Sequence, residues 1–130
     1  MRVRVYYADT DAGGVVYYGT YLRWLEMARW ELIEGLGVPV AEYAAQGILF
    51  AVVRIEVDYL APAALADELE IGTEVEGVRR VRFTVRHRVT RVADGQPLVA
   101  ARVALASLSR EGKIVALPES LASALQSRVA

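Results

Sequence analysis

Two carboxylates, Asp9 and Asp11, stand two residues apart in the run Tyr7-Ala8-Asp9-Thr10-Asp11-Ala12-Gly13-Gly14-Val15-Val16-Tyr17-Tyr18-Gly19-Thr20-Tyr21. The run ends where the one long helical pattern of the chain begins. A helix start offers unpaired N–H groups and a partial positive charge, which suit a bound anion or a developing oxyanion. Glycines let the backbone approach a ligand closely. A nearby carboxylate can act as a nucleophile or as a general base. Acyl transfer needs both parts: a group that attacks a carbonyl or activates water, and donors that hold the oxyanion. Asp9 and Asp11 equally suit Asx turns that bond back to the loop's own backbone.

Composition narrows the alternatives. The 130 residues hold no cysteine and one histidine, His87, so disulfides, thiolate metal sites, cysteine nucleophiles and His-rich zinc centres are excluded. Fifteen basic residues against sixteen acidic ones leave a net charge of −1, unlike a dedicated nucleic-acid binder. No apolar run approaches the roughly 18 residues of a membrane span. The hydrophobic fraction is 55% all the same, so the apolar surplus belongs in a core or a subunit interface. Met1–Tyr7 alternates Arg and Val without the apolar block of a signal peptide, and a cytoplasmic protein is expected.

The elements that must position the loop follow from periodicity. Met1–Tyr7 is expected to be a half-buried strand, with Val3, Val5 and Tyr7 on one face. From about Gly19 to Leu36, the positions Tyr21, Leu25, Ala28, Leu32 and Leu36 form one apolar stripe with Leu22 and Ile33 on its flank. Arg29 falls close to that stripe and needs a partner if buried. Met27 and Trp30 lie on the opposite side, either as tolerated exposed residues or as part of a second buried surface. Leu49–Tyr59 is expected as a strand with Leu49, Ala51, Val53, Ile55, Val57 and Tyr59 on one face.

A hairpin follows. Folding Glu68–Arg88 about Val78 sets Glu76, Glu74, Glu70 and Glu68 against Arg80, Arg82, Arg86 and Arg88, and places His87 on the apolar face beside Leu69. The arginine stripe is thereby answered by glutamates, with Arg79 left at the tip. Pro97–Ser109 is expected to be the last long strand and Pro118–Ser127 a short terminal helix. The whole is a single α+β domain of two layers, one long helix on a sheet of about five antiparallel strands.

The run Tyr7–Arg29 resembles the active-site segment of the 4-hydroxybenzoyl-CoA thioesterase family of hotdog-fold proteins, with its D-x-D, glycine, apolar pair, aromatic pair and helix. Val57-Asp58-Tyr59-Leu60-Ala61-Pro62 followed by Asp67-Glu68-Leu69 resembles a second block of that family. The tail from Ala101-Arg102-Val103 through Gly112-Lys113 to Leu117-Pro118-Glu119 resembles a third. The match is nearest the branch of Tol-Pal-associated acyl-CoA thioesterases. That branch usually carries His where this chain has Tyr18. The hydroxybenzoyl branch accepts an aromatic there but has Asp where Glu26 sits.

The resemblance implies an acyl-CoA thioesterase without metal or cofactor. Asp11 would be the catalytic carboxylate and the Tyr18 backbone N–H the oxyanion donor. Gly14, Val16, Tyr17, Tyr21, Glu26, Tyr59 and Arg79 would contribute to substrate binding, Arg79 near the CoA phosphates. It also implies a homodimer or homotetramer with sites shared between protomers. A non-catalytic acyl-CoA or acyl-carrier binding module, and a hotdog acyl dehydratase, are the alternative readings.

Overall fold

The computed structural model describes residues 1–129. Five strands form one antiparallel sheet: β1 (Arg2–Arg4), β2 (Leu49–Tyr59), β3 (Glu68–Val78), β4 (Arg82–Arg91) and β5 (Pro97–Leu108), in the spatial order β1-β3-β4-β5-β2. Helix α1 (Tyr18–Gly35) lies on one face; α2 (Val40–Ala45) and α3 (Glu119–Gln126) complete the helical layer. The expected α+β architecture of one long helix on a five-stranded sheet is observed. Strand β1 stops at Arg4, and a 3-10 turn over Tyr7–Asp9 takes the place of its expected last residues. Tyr7 is accordingly 82% exposed. Helix α2 had no counterpart in the sequence reading; its Tyr43 hydroxyl bonds to the Ser120 hydroxyl of α3.

Helix α1 buries Tyr21, Trp24, Leu25, Ala28, Arg29 and Ile33. From Tyr21 this is an i, i+3, i+4, i+7, i+8 pattern, the footprint of a helix on a flat surface. The stripe is rotated from the expected one: Trp24 is buried, whereas Leu22 is 40% exposed. Met27 and Trp30 are exposed in the chain.

The core divides into two apolar clusters along the sheet. One surrounds the first half of α1 with Leu25, Ala28, Ile71, Val89 and Ala101. The other lies under the end of α1 and against α3, with Ile33, Val75, Val85, Val103 and Leu121. Between them in register stand Thr73 and His87, opposite each other on β3 and β4.

That register corrects the expectation. Glu74 faces Arg86 and Val75 faces Val85, so the strands are displaced by four residues relative to folding about Val78. The turn runs from Arg79 to Arg82, and a bulge falls between Val75 and Gly77. An even displacement leaves the faces unchanged, so the glutamates and arginines still share the outer face. Outer ion pairs join Arg2 to Glu70, Arg4 to Glu68, Arg86 to Glu74 and Arg102 to Glu76. His87 faces Thr73 rather than Leu69, and it is buried as expected for a core residue.

The single face expected for β2 is also corrected. A bulge between Val52 and Arg54 inserts one residue and reverses the alternation. Phe50 packs on the second cluster before the bulge, and Val57 packs on the first after it. As the edge strand, β2 leaves Val52, Val53, Ile55 and Tyr59 40–48% exposed.

Candidate active site

The loop ahead of α1 is a small scaffold closed on itself. Thr10 and Val16 form an antiparallel bridge, and the Asp11 N–H donates to Val15 O at 2.8 Å. Gly14 closes the tip with φ +81°, a conformation that favours glycine. The Tyr17 N–H reaches back to Asp9 O at 2.9 Å, fixing the chain where it enters the helix.

The two carboxylates take different roles in this scaffold. Asp9 is buried, and its Oδ2 accepts from the Tyr6 N–H at 2.9 Å. Asp11 is exposed; its Oδ1 accepts from the Gly13 N–H at 2.8 Å and the Val15 N–H at 3.4 Å. No hydrogen bond falls on Asp11 Oδ2 among the described residues. The Asx geometry that the sequence allowed is therefore present at Asp11, but it occupies one oxygen and leaves the other open. Asp11 borders a surface cleft with Tyr7, Thr10, Ala12, Gly14 and Leu65.

The start of α1 has no side-chain cap. The Tyr18 and Gly19 N–H groups have no acceptor among the described residues. A helix start left open in this way presents donors and positive potential to whatever occupies the space beside it.

An aromatic group surrounds that start. The Tyr17 and Tyr18 ring centroids are 4.5 Å apart, and those of Tyr18 and Tyr59 6.4 Å. The Tyr59 hydroxyl donates to Tyr18 O at 3.0 Å, tying the end of β2 to the first turn of α1. Tyr21 joins the group at 5.8 Å from Tyr59 but is itself buried. Burial raises the Tyr21 and Tyr59 hydroxyls above the ordinary phenol range, so both stay protonated at neutral pH. A Cβ on Gly19 would come within 2.7 Å of the Tyr17 ring. A side chain at that position would make the exposed Tyr17 ring turn aside.

The segment after β2 braces the loop. Val15 bridges to Ala64, and the Val16 N–H donates to Ala63 O at 2.9 Å. Arg91 holds this segment through Pro62 O at 2.7 Å and Asp67 Oδ2 at 3.2 Å. Asp67 Oδ2 in turn accepts from the Ala64 N–H. The connection after β2, through Ala63 and Ala64, thus acts as the wall against which the Asp11 loop is built.

Tyr17, Tyr18 and Tyr59 come together around the helix start, while Asp11 and Gly14 line the cleft on the loop that leads into it. Val16 and Tyr21 are buried beneath them and support rather than line the cleft. Glu26 lies eight residues along α1, about 12 Å of helix rise from Tyr18, and borders a different cavity. Arg79 sits at the far end of the sheet. Tyr59 pairs with Val99 and Arg82 with Ala106, seven residues apart on β5, a separation of about 23 Å. One chain does not bring Arg79 to Asp11. Among the described residues no His, Cys, Asp and Glu cluster is disposed to hold a metal ion, and no helix is long and apolar enough to cross a membrane.

A family model described as the thioesterase-like superfamily matches residues 5–125. The chain belongs to that superfamily. It is 36% identical over 123 residues to the acyl-CoA thioesterase YbgC of Haemophilus influenzae, covering 94% of this chain and 90% of that protein. It is 41% identical over 87 residues to the acyl-CoA thioester hydrolase YbgC of Escherichia coli O157:H7, a match that spans 67% of this chain and 65% of that relative's length. Among solved structures, a hypothetical protein from Thermus thermophilus superposes with a TM-score of 0.91 at 29% identity, covering 98% and 97% of the two chains. A 4-hydroxybenzoyl CoA thioesterase mutant complexed with 4-hydroxybenzoyl CoA superposes with a TM-score of 0.88 at 25% identity, covering 96% of each chain. The superfamily's hotdog fold is the fold of this chain.

Proposed function

We propose that this protein hydrolyses acyl-CoA thioesters in the cytoplasm, releasing CoA and a carboxylic acid. The observation that carries the reading is one exposed carboxylate with an open oxygen, held by a closed loop next to an uncapped helix start. Its relatives' names point the same way. Asp11 serves either as nucleophile, forming an acyl-aspartyl anhydride that water then opens, or as the base that takes a proton from the attacking water. In both routes the carbonyl oxygen gains negative charge and receives the Tyr18 N–H, strengthened by the helix dipole. Neither route uses a histidine.

The acyl group needs more enclosure than the open cleft beside Asp11 supplies. The exposed apolar edge of β2 supports pairing with a second copy of the chain, sheet to sheet, as a homodimer or a pair of such dimers. Glu26 and the distant Arg79 would then complete a neighbour's site, while Tyr59 serves its own chain's helix start. Sedimentation at micromolar concentration checks this, and a 14 kDa particle would count against it.

The function itself is tested by free-thiol release from short, medium and long aliphatic acyl-CoAs and from benzoyl- and phenylacetyl-CoA. Turnover of at least one, lost in Asp11→Asn, is expected. Binding without hydrolysis across the panel would favour an acyl-CoA binding module instead. Single-turnover hydrolysis in ¹⁸O-water separates the two routes, since only the anhydride route carries label into Asp11.

A further inference from the structure

The turn that backs the Asp11 loop is not held by its own sequence. The Asp67 N–H donates to Ala64 O at 3.1 Å and closes a four-residue turn with Leu65 and Ala66 at its centre. Ala66 has φ +73°, and it is the one non-glycine residue with a positive φ among the described residues. A positive φ at the third position alone marks a type II turn, where glycine is favoured because a Cβ is strained there. Such a conformation persists only where the surrounding structure over-determines it.

One arginine and one aspartate supply that support. Arg91, at the end of β4, is the only arginine whose side chain bonds to three residues among the described ones. Its Nη2 donates to Pro62 O at 2.7 Å, ahead of the turn, and its Nε to Asp67 Oδ2 at 3.2 Å, where the turn closes. Its Nη1 donates to Asp94 Oδ2 at 2.9 Å, which fixes the guanidinium to the turn between β4 and β5. Asp67 Oδ2 also accepts from the Ala64 N–H at 2.9 Å. The same segment meets the Asp11 loop. Ala63 O accepts from the Val16 N–H at 2.9 Å, Ala64 bridges to Val15, and Val15 O accepts from the Asp11 N–H at 2.8 Å. Asp11 has only backbone partners, and Val15 supplies two of its bonds, so a shift of Val15 carries the carboxylate with it.

We propose that Arg91, together with Asp67, is a positioning residue for the thioester hydrolysis proposed above, acting through Asp11 rather than on the substrate. The inference rests on that reading of function. By clamping the strained turn, Arg91 sets where Val15, and therefore Asp11, stands. Misplacing a reacting group by about 1 Å can cost 10²-fold in rate.

A double-mutant cycle on the full chain tests this, with free-thiol release from the acyl-CoA of the panel that turns over fastest. Arg91→Met is expected to lower kcat about tenfold to a hundredfold with KM little changed. In the Asp11→Asn background the same substitution should lower the residual rate less than about twofold, because the carboxylate it positions is already gone. A merely structural loss would cost the same factor in both backgrounds. Arg91→Lys keeps the charge but not the three-way fork, so it should recover part of the rate, and it carries the same cycle should Arg91→Met fail to fold. Amide hydrogen exchange reads the clamp without the reaction. In Arg91→Met the Asp11 and Val16 amides should exchange about tenfold faster or more, beyond any change at the core Val103 amide, and in Arg91→Lys by a smaller factor. Equal factors in the two backgrounds, a kcat like the parent's in Arg91→Met, or unchanged protection of Asp11 and Val16 would each overturn the proposal. A parent that hydrolyses no thioester of the panel would overturn the functional reading instead, and amide exchange would then decide the clamp by itself.

Discussion

Helix α1 meets polar side chains in two places, and it treats them in opposite ways. At its start, Asp11 is exposed and tied by one oxygen to loop amides, with the helix donors open beside it. Under its middle, Arg29, His87 and Thr73 are linked in a chain between two apolar clusters. The first arrangement spends its hydrogen bonds on position and leaves reactive capacity unused. The second is buried by packing and sets a neutral ring against the Arg29 charge. Changes at the helix start should therefore read out in rate with little change in stability. Changes beneath it should read out in stability and pH dependence.

The sharpest break in that comparison is Asp11→Asn. The amide keeps the shape and the Gly13 hydrogen bond but cannot attack a carbonyl or accept a proton. kcat should fall by about 10³ or more, with KM little changed, because removal of such a group commonly costs ~10²–10⁴. Asp9→Asn is the control two residues away. Its carbonyl can still accept from the Tyr6 N–H, so kcat should stay within about tenfold of the parent. Steady-state kinetics of both variants check this, and an Asp11→Asn enzyme within tenfold of the parent would remove Asp11 from the mechanism.

The next largest effect belongs to His87. Its folded-state pKa, about 4, lies below the ordinary 6.5. Above pH 6.5 neither the folded nor the unfolded chain binds the proton. Between 6.5 and 4 the unfolded chain takes it up and the folded chain does not, so stability falls as pH falls. Below 4 both bind it and the loss levels off. Between pH 7 and pH 5 this single group should remove about 2 kcal/mol of stability. His87→Gln can bond to both Arg29 and Thr73 and carries no titrating ring. Urea unfolding of the two proteins at both pH values should show the parent losing about 2 kcal/mol more than the variant. Parallel losses would mean that His87 is not held neutral.

Much of this was legible in the sequence, and what was not has a common cause. The α1 boundaries, the Asp11 loop and the outer-face charges are local patterns, and each was readable from residues close in the chain. The β2 bulge and helix α2 were missed because neither interrupts the apolar pattern around it. The neutral partner of Arg29 was missed because it comes from a strand 58 residues away.

The smallest predicted effect concerns the β3–β4 register, where charge pairing misled. The expected register would set four glutamates directly against arginines, whereas the observed one sets only Glu74 against Arg86, so direct charge pairing does not choose it. The observed one puts Thr73 opposite His87, where a hydroxyl meets Nδ1; the other would put Leu69 there and leave a buried ring nitrogen unbonded. An unsatisfied buried polar group costs about 1–3 kcal/mol, more than an exposed ion pair contributes. Glu74 and Arg86 are 3.5 Å apart, with both side chains more than half exposed. Glu74→Ala should therefore change unfolding stability by no more than about 0.5 kcal/mol and leave the register intact. Thr73→Val should cost more, because it removes the acceptor that His87 uses. Denaturant unfolding of the two variants side by side checks the order. If Glu74→Ala proved the costlier, the register would rest on charge after all.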